Sequence, residues 1–254
     1  MLDATRDWSL TCTACGARAA GVDRFDERYR YCHPGHGGCG RRVLVDDRAR
    51  RLAQIFSRRK IDRLVHVTRS SNLPSLLRHG LVPRDRHQAL GIEAEVVDSY
   101  RYDGDGHTNL SLTSANRFMS VERVMAEPDA WVVLCIAPSA ILTIPTSVFH
   151  QTNAANANHR HGSGPDDLEQ LFVPAVEYTT AAGVFRQILR GSNWPDNRPT
   201  DAQAEITVPD VIPARFLDSI WTPSDRARAS VVRLPGADRV KVAVHPISEW
   251  WAPA

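Results

Sequence analysis

The sequence predicts an α+β domain with a largely antiparallel sheet, preceded by a small module that a metal ion stabilises. Three observations support this prediction. Short strand-like segments outnumber helical ones, strands and helices do not alternate in βαβ fashion, and four of the five cysteines fall within the first forty residues. The length of 254 residues fits one ordinary domain plus a small module.

Composition excludes several classes of protein. With 43% hydrophobic and 24% charged residues, the chain is typical of a globular protein and not of a disordered one. No apolar run reaches the roughly 18 residues that span a bilayer, so we expect no membrane partner. The first residues carry acidic groups and lack an apolar signal region, which predicts a cytoplasmic protein. A basic cluster over 48–63 is consistent with phosphate binding or with a solvated helix face.

The clustered cysteines predict a zinc site. A reducing cytoplasm disfavours disulfides, and residues 1–45 are too poor in aliphatic side chains to form a core without a metal. A CxxC pair and a second pair further on suit tetrahedral zinc. The predicted ligands are Cys12, Cys15, Cys32 and Cys39. His33 or His36 in place of one cysteine remains an alternative. Four protein ligands leave no open position, so the zinc would be structural in a zinc-ribbon-like module.

Secondary structure is predicted from periodicity and from turn residues. A linking helix is expected within 46–62, because Leu52, Ile55 and Phe56 share one helical face. A strand over 64–67 and a short helix over 72–80 follow, the helix ending at Gly80. The other predicted elements are a loop over 84–109, strands over 109–113 and 131–137, a loop over 150–165, a helix over 166–190, a turn over 191–201, and strands over 203–208, 219–221 and 239–244.

Three polar residues occupy unusual positions. His66 interrupts an apolar strand, Arg101 lies in a polar loop, and Glu205 opens a predicted strand in which it shares a face with Thr207. Taken singly, each has an ordinary structural interpretation: a hydrogen-bonded core histidine, a surface arginine, and a solvent-facing glutamate that contributes little to stability.

Taken in order along the chain, these residues accompany further motifs. The set consists of His66-Val67-Thr68, Asn72-Leu73, 76–81, 109–119, Asn153-Ala154-Ala155, Gln203-Ala204-Glu205 and Ile212-Pro213. It resembles the DarT-like ADP-ribosyltransferases, bacterial toxins or defence enzymes that attach ADP-ribose to bases of single-stranded DNA. The resemblance covers about residues 63–251 and assigns 63–254 to the catalytic domain. The chain departs from the family in the segment 103–107 and in the absence of aromatic residues from the strand at 110–112. These differences affect the expected acceptor more than the expected reaction.

The resemblance implies an ADP-ribosyltransferase-like fold with a split β core, and NAD as the substrate. Cleavage of the nicotinamide–ribose bond gives the ribose oxocarbenium character, which a fixed carboxylate stabilises, while a guanidinium can pair with the pyrophosphate. The implied catalytic pair is Glu205 and Arg101. The implied NAD-binding residues are His66, Val67, Thr68, Ser75 and Arg101. The loop over 150–164 would present the acceptor.

The same resemblance implies partners and leaves alternatives. Single-stranded DNA is the expected acceptor, and an antitoxin or a macrodomain-type hydrolase is expected to neutralise a toxin or phage-defence enzyme of this kind. The alternatives are an RNA-directed or protein-directed ADP-ribosyltransferase, an NAD-dependent RNA 2′-phosphotransferase, and a non-enzymatic zinc-ribbon protein that binds nucleic acid.

Overall fold

A computed structural model describes residues 29–31, 42–44, 47–96, 103–180 and 182–251. Outside these ranges lie the predicted zinc ligands Cys12, Cys15, Cys32 and Cys39, the alternatives His33 and His36, and Arg101. None of the described helices is long and apolar enough to cross a lipid bilayer.

The described residues form helices, strands and short 3-10 turns. The strands are β1 (Tyr29–Tyr31), β2 (Arg42–Leu44), β3 (Leu64–Arg69), β4 (Thr108–Leu112), β5 (Trp131–Ile136), β6 (Val148–His150), β7 (His161–Gly162), β8 (Ala175–Thr179), β9 (Phe185–Leu189), β10 (Glu205–Val208), β11 (Leu217–Thr222) and β12 (Lys241–Val244). The helices are α1 (Asp47–Arg58), α2 (Leu73–His79), α3 (Arg117–Ala126), α4 (Ser139–Leu142), α5 (Pro165–Glu169) and α6 (Asp225–Val231).

Within the described part of the chain, the main sheet has eight strands in the order β12-β11-β5-β3-β4-β10-β6-β7. Neighbouring strands are antiparallel except β11 and β12, which are parallel. Hairpins β1–β2 and β8–β9 form two further sheets. The prediction of a mixed fold with a mostly antiparallel sheet is therefore confirmed.

Apolar side chains cover the main sheet on both faces, which explains why all six residues of β5 are buried. One face packs against α1, whose Leu52 and Phe56 belong to the same core as Leu64 and Leu134. The other face packs a smaller core that includes Trp221 and Trp250. Helix α1 therefore contributes to the core of the main sheet, because its apolar stripe has a partner there.

Basic residues of α1, and Arg59 directly after it, pair with acidic residues of α5. Arg51 Nη2 lies 2.5 Å from Asp166 Oδ1, and Arg59 Nη2 lies 2.7 Å from Glu169 Oε2. Arg58 also pairs with Glu169. Part of the cluster over 48–63 is therefore ion-paired within the chain, an arrangement that adds little stability where the pairs are exposed.

Most predicted elements are present, but the predicted helix over 166–190 is wrong. Among the described residues of this range, only α5 and one 3-10 turn are helical, and β8 and β9 form an antiparallel hairpin. In β8 the buried Val176 and Tyr178 alternate with more exposed residues, which is a strand pattern. Gly183, with φ of 79°, turns the chain between the two strands.

Strand β3 creates an opening in the main sheet. It pairs with β5 along its whole length but with β4 only at Leu64↔Leu112 and Val65↔Ser111. From His66 onwards β3 and β4 are no longer joined by a backbone ladder. The opening is flanked on one side by β3 and on the other by β4 and β10.

Candidate active site

Glu205 is the first residue of β10, which lies between β4 and β6. In the sheet, Glu205 pairs with Ser111 of β4 on one side and with His150 of β6 on the other. Because both neighbouring strands and the loop after β6 cover it, the residue is only 5% exposed. The expectation that Glu205 faces solvent is therefore wrong.

Both carboxylate oxygens of Glu205 accept hydrogen bonds. Asn109 Nδ2 donates to Oε2 at 2.9 Å, and the backbone N–H of Ala154 donates to Oε1. Hydrogen bonds to a charged acceptor are stronger than those between neutral groups. The two donors approach from opposite sides of β10, so they fix the orientation of the carboxylate.

Asn109 connects Glu205 to a second carboxylate. Its Nδ2 also donates to Asp103 Oδ2 at 2.9 Å, and His107 Nε2 lies 3.0 Å from the same oxygen. Since an ionised carboxylate can only accept, the amide nitrogen of Asn109 must face both acids. Two carboxylates that share one donor concentrate negative charge at this position of the sheet.

His66 lies directly beyond the end of the β3–β4 ladder. Its Nδ1 is 2.9 Å from the backbone oxygen of Asn109. A carbonyl oxygen only accepts, so Nδ1 must carry a proton. His66 and Glu205 are thus connected through Asn109, the histidine by its backbone carbonyl and the glutamate by its side chain. The structure brings together these two predicted site residues.

The other predicted residues occupy three different environments. Thr68, near the end of β3, is 7% exposed, and its Oγ1 accepts a hydrogen bond from Asn72 Nδ2 at 3.1 Å. Val67 packs against the smaller core. Ser75 is half-buried on α2. Thr68 is therefore close in sequence to His66, which borders the opening, whereas Val67 packs against the smaller core.

Asn72 also ties part of the predicted polar loop over 84–109 to the end of β3. Its Oδ1 accepts from the Glu95 N–H at 2.8 Å, and its Nδ2 donates to the Glu95 oxygen at 3.1 Å. Arg69 Nε lies 3.0 Å from Glu95 Oε1. These contacts hold the chain near 95 against the strand that carries His66.

A small groove lies beside Ala204, the residue before Glu205. It is lined by Ser111, Leu112, Ser114, Trp194, Arg198, Pro199, Ala202 and Ala204. Arg190 stabilises the outer wall, because its guanidinium donates to the backbone oxygens of Arg198 at 2.7 Å and Pro195 at 2.8 Å. The groove thus combines an indole, a guanidinium and polar strand residues.

Sequence reasoning missed Asn109, Asp103 and the backbone of Ala154 as contacts of the site. Asp103 belongs to a segment that departs from the family, and Ala154 to a family-like loop, so both regions carried a signal. Asn109 carried a weaker signal. Its alternation with Leu110 on β4 indicates a polar face of the strand, but it does not show which strand lies next to that face. Only the register Thr207↔Asn109 shows that this face meets Glu205.

The site thus combines a buried glutamate beside an opening in a mostly antiparallel sheet with a histidine that borders this opening and is connected to the glutamate through Asn109. A family model described as "ssDNA thymidine ADP-ribosyltransferase, DarT" matches residues 65–252. The chain therefore belongs to the DarT family of NAD-dependent ADP-ribosyltransferases. No curated protein matches the sequence significantly.

Two solved structures share the fold. The first, Thermosipho africanus DarTG in complex with ADP-ribose, has a TM-score of 0.52 and 12% identity over 76% of this chain. The match covers 52% of that chain, so this protein corresponds to about half of the DarTG length. The second, Thermus sp. 2.9 DarT in complex with carba-NAD+, has a TM-score of 0.51 and 17% identity, over 76% of this chain and 99% of that chain. Both confirm the predicted ADP-ribosyltransferase fold.

Proposed function

We propose that the protein transfers a single ADP-ribose from NAD to thymidine bases in single-stranded DNA. The family assignment supports this reaction. The observation that carries it in this chain is the buried Glu205 carboxylate, held by Asn109 and Ala154 beside the opening that His66 borders. Such a fixed negative charge suits a reaction in which positive charge develops at a sugar carbon.

In the proposed reaction, the bond between the nicotinamide nitrogen and ribose C1′ breaks, and its electron pair leaves with nicotinamide. A base nitrogen of the acceptor forms the new bond to C1′ and loses its proton to one of the two carboxylates. Glu205 stabilises the oxocarbenium character and holds a ribose hydroxyl. Asp103 shares the Asn109 donor with Glu205 and adds negative charge opposite the cationic nicotinamide.

NAD is proposed to bind in the opening between β3 and β4. His66 is pre-oriented because its Nδ1 proton is committed to the Asn109 carbonyl, so Nε2 is directed elsewhere. Thr68 and Ser75 are proposed to hold the nicotinamide side by hydrogen bonds that fix its orientation. Arg101 is proposed as the second member of the catalytic pair and as the partner of the pyrophosphate.

The groove beside Ala204 supports a nucleic-acid acceptor. Trp194 offers an aromatic plane on which an unpaired base can stack, and Arg198 offers a charge for a phosphate or a base edge. Ser111 connects the groove to the site, because it is opposite Glu205 in the sheet. Single strands expose the base faces that such a groove needs, whereas duplexes bury them.

A structural zinc ion is proposed for residues 1–45. The antiparallel hairpin β1–β2 brackets two of the predicted ligands in sequence, because β1 ends at Tyr31 and β2 begins at Arg42. Cys32 and Cys39 therefore lie between these two strands in sequence, and a set of four cysteines suits tetrahedral zinc. The proposed set remains Cys12, Cys15, Cys32 and Cys39.

The proposed biological role is that of a toxin or a phage-defence enzyme. An enzyme that modifies DNA bases would damage the cell that makes it. We therefore propose a neutralising partner, either an antitoxin that binds the enzyme or a macrodomain-type hydrolase that removes ADP-ribose. Expression of the active protein alone should be toxic, and expression with such a partner should restore growth.

The reaction is tested with the full chain, labelled NAD and separate pools of single-stranded DNA, RNA and protein. Label should enter DNA oligonucleotides that contain thymidine and not matched oligonucleotides without it. Glu205→Gln should lower transfer by at least about 10²–10³-fold, the typical effect of removing one group that stabilises transition-state charge. Glu177→Gln, an exposed glutamate on β8, is the matched control and should keep full activity.

The Gln variant is preferable to Ala at position 205. Alanine would leave both buried donors, of Asn109 and Ala154, without an acceptor, at a cost of about 1–3 kcal/mol in stability for each. Glutamine keeps an acceptor oxygen for one of them and preserves the shape of the side chain. Glu205→Gln should still be stabilised thermally by NAD, because ligand binding to the native state raises apparent stability. Label in RNA or protein alone would refute the DNA assignment, and equal transfer by wild type and Glu205→Gln would refute the site.

A further inference from the structure

Three histidines form a cluster on the side of β10 opposite the NAD opening. His150 ends β6, His161 pairs with it on β7, and His159 precedes β7. His150 Nδ1 lies 3.0 Å from His159 Nε2. The His161 ring stacks on that of His150 with centroids 5.4 Å apart, and one nitrogen from each of the three rings lies within 4.8 Å of the others.

Each imidazole also contacts an oxygen or the backbone. His150 Nε2 is 3.0 Å from Thr207 Oγ1, His161 Nδ1 is 3.3 Å from the His159 oxygen, and His159 hydrogen-bonds the backbone of Asn156. Histidine ligands in metal sites show this arrangement, in which one nitrogen bonds an oxygen and the other is directed at the ion. The three rings therefore combine a convergent set of nitrogens with hydrogen bonds to their surroundings.

We propose that His150, His159 and His161 bind a divalent transition-metal ion of the zinc type. Zinc–nitrogen distances of about 2.0–2.1 Å in a tetrahedron place ligand nitrogens about 3.3 Å apart. The 3.0 Å separation of His150 and His159 is close to this value, and a side-chain rotation of the exposed His161 brings the third nitrogen in. Three neutral imidazoles leave a fourth position for water or an anion.

The hydrogen bond between His150 and Thr207 is compatible with metal binding. For a metal to bind Nδ1 of His150, the ring proton must be on Nε2. Thr207 permits this arrangement, because its hydroxyl can accept a hydrogen bond as well as donate one.

A bound ion would close the loop that touches Glu205. The histidines lie at the two ends of the segment from His150 to His161, which includes the Ala154 N–H that donates to Glu205. Since a cross-link between loop ends reduces the freedom of the residues between them, the ion would hold this donor in place. The site does not depend on the proposed transferase reaction, and its test uses binding alone.

Cobalt(II) and zinc(II) titrations of the full chain test the site. The Cys12→Ser/Cys15→Ser variant removes the proposed thiolate site, so cobalt bound to it should show visible d–d absorption without thiolate charge-transfer bands. His161→Gln in that background should weaken binding by at least about 100-fold, because loss of a direct ligand exceeds the 10–100-fold effect of outer partners. His245→Gln is the control, since this ring pairs with Glu249 outside the cluster.

Hydrogen exchange provides an independent measurement. Zinc should slow exchange of the amides between His150 and His161 in wild type and in the His245→Gln control, but not in His161→Gln. Because His161 is exposed, its replacement should leave the fold intact, which circular dichroism can verify. Cobalt binding that is equal in the His161→Gln and control variants, or an absence of any binding to the Cys12→Ser/Cys15→Ser protein, would overturn the proposal.

Discussion

The two sides of Glu205 are built differently. On the side of β4, a sheet residue, Asn109, donates to Oε2 from a strand that is paired along β10. On the side of β6, the donor to Oε1 is the backbone N–H of Ala154, in a segment without regular secondary structure. The same carboxylate is therefore held by a rigid ladder on one side and by a loop on the other.

This difference separates two requirements of the site. The position of a charge that acts in catalysis must be accurate, and strands fix side chains more accurately than loops do. Entry of an acceptor requires a part that can move, and loops supply it. The sheet side therefore sets where the carboxylate lies, and the loop side sets how it is covered.

The largest effect among variants that spare Glu205 itself is expected for Asn109→Ala on the sheet side. It removes the donor shared by Glu205 and Asp103. A hydrogen bond to a charged group contributes about 1.5–3 kcal/mol, so kcat/KM for transfer to DNA should fall by about 10–150-fold. Gln187→Ala, an exposed amide on β9 bonded to Glu177, is the control and should keep full activity.

A smaller effect is expected for Asn153→Ala on the loop side. Asn153 Oδ1 accepts from the Ala155 N–H at 3.0 Å and shapes the turn that presents Ala154. One neutral hydrogen bond contributes about 0.5–1.5 kcal/mol, so kcat/KM should fall only about two- to tenfold. Thr180→Ala removes a comparable turn contact, to the Val184 N–H in the β8–β9 hairpin, and is the control. A loss as large as that of Asn109→Ala would contradict the division between rigid and mobile sides.

The sequence predicted the sheet side better than the loop side. Alternation in β4 and β10 and the apolar run of β5 are local signals, because a strand with a buried face must show them. By contrast, the pairing of Glu205 with Ser111 and the opening beyond Val65 depend on contacts between distant segments. No local sequence pattern predicts them. The helix predicted over 166–190 failed for the same reason. In that segment, the pairing of β8 with β9 outweighed the local propensity for helix.

The roles of the site residues were inferred from the resemblance and not from spacing. His66 and Glu205 are far apart in sequence, and a third residue, Asn109, connects them. No pattern in the sequence identifies this connection. The histidine cluster gave a partial signal, since its members lie in a segment dense in histidine and asparagine, but only the pairing of β6 with β7 brings the rings together.

The smallest expected effect is on stability and concerns Asp201, which hydrogen-bonds Thr152 in the loop after β6. Burial raises the pKa of its carboxyl, although the Gln203 N–H and the Thr152 hydroxyl oppose this shift. Among the described residues, nothing donates to its buried Oδ2. A carboxyl with a raised folded-state pKa destabilises the fold once it ionises, so stability is lost as the pH rises from its unfolded pKa of about 3.9.

Asp201→Asn should therefore raise the free energy of unfolding by about 1 kcal/mol near neutral pH, or Tm by about 2–4 °C. Below the unfolded pKa the aspartate is protonated in both states, so the gain should disappear near pH 4. Thermal melts of both proteins across this pH range measure the difference, with the exposed Asp238→Asn as the control. A gain that does not change with pH would show that the buried charge is not its cause. A gain that grows with pH would show that this loop-side carboxylate costs stability, unlike the hydrogen-bonded carboxylate of Glu205.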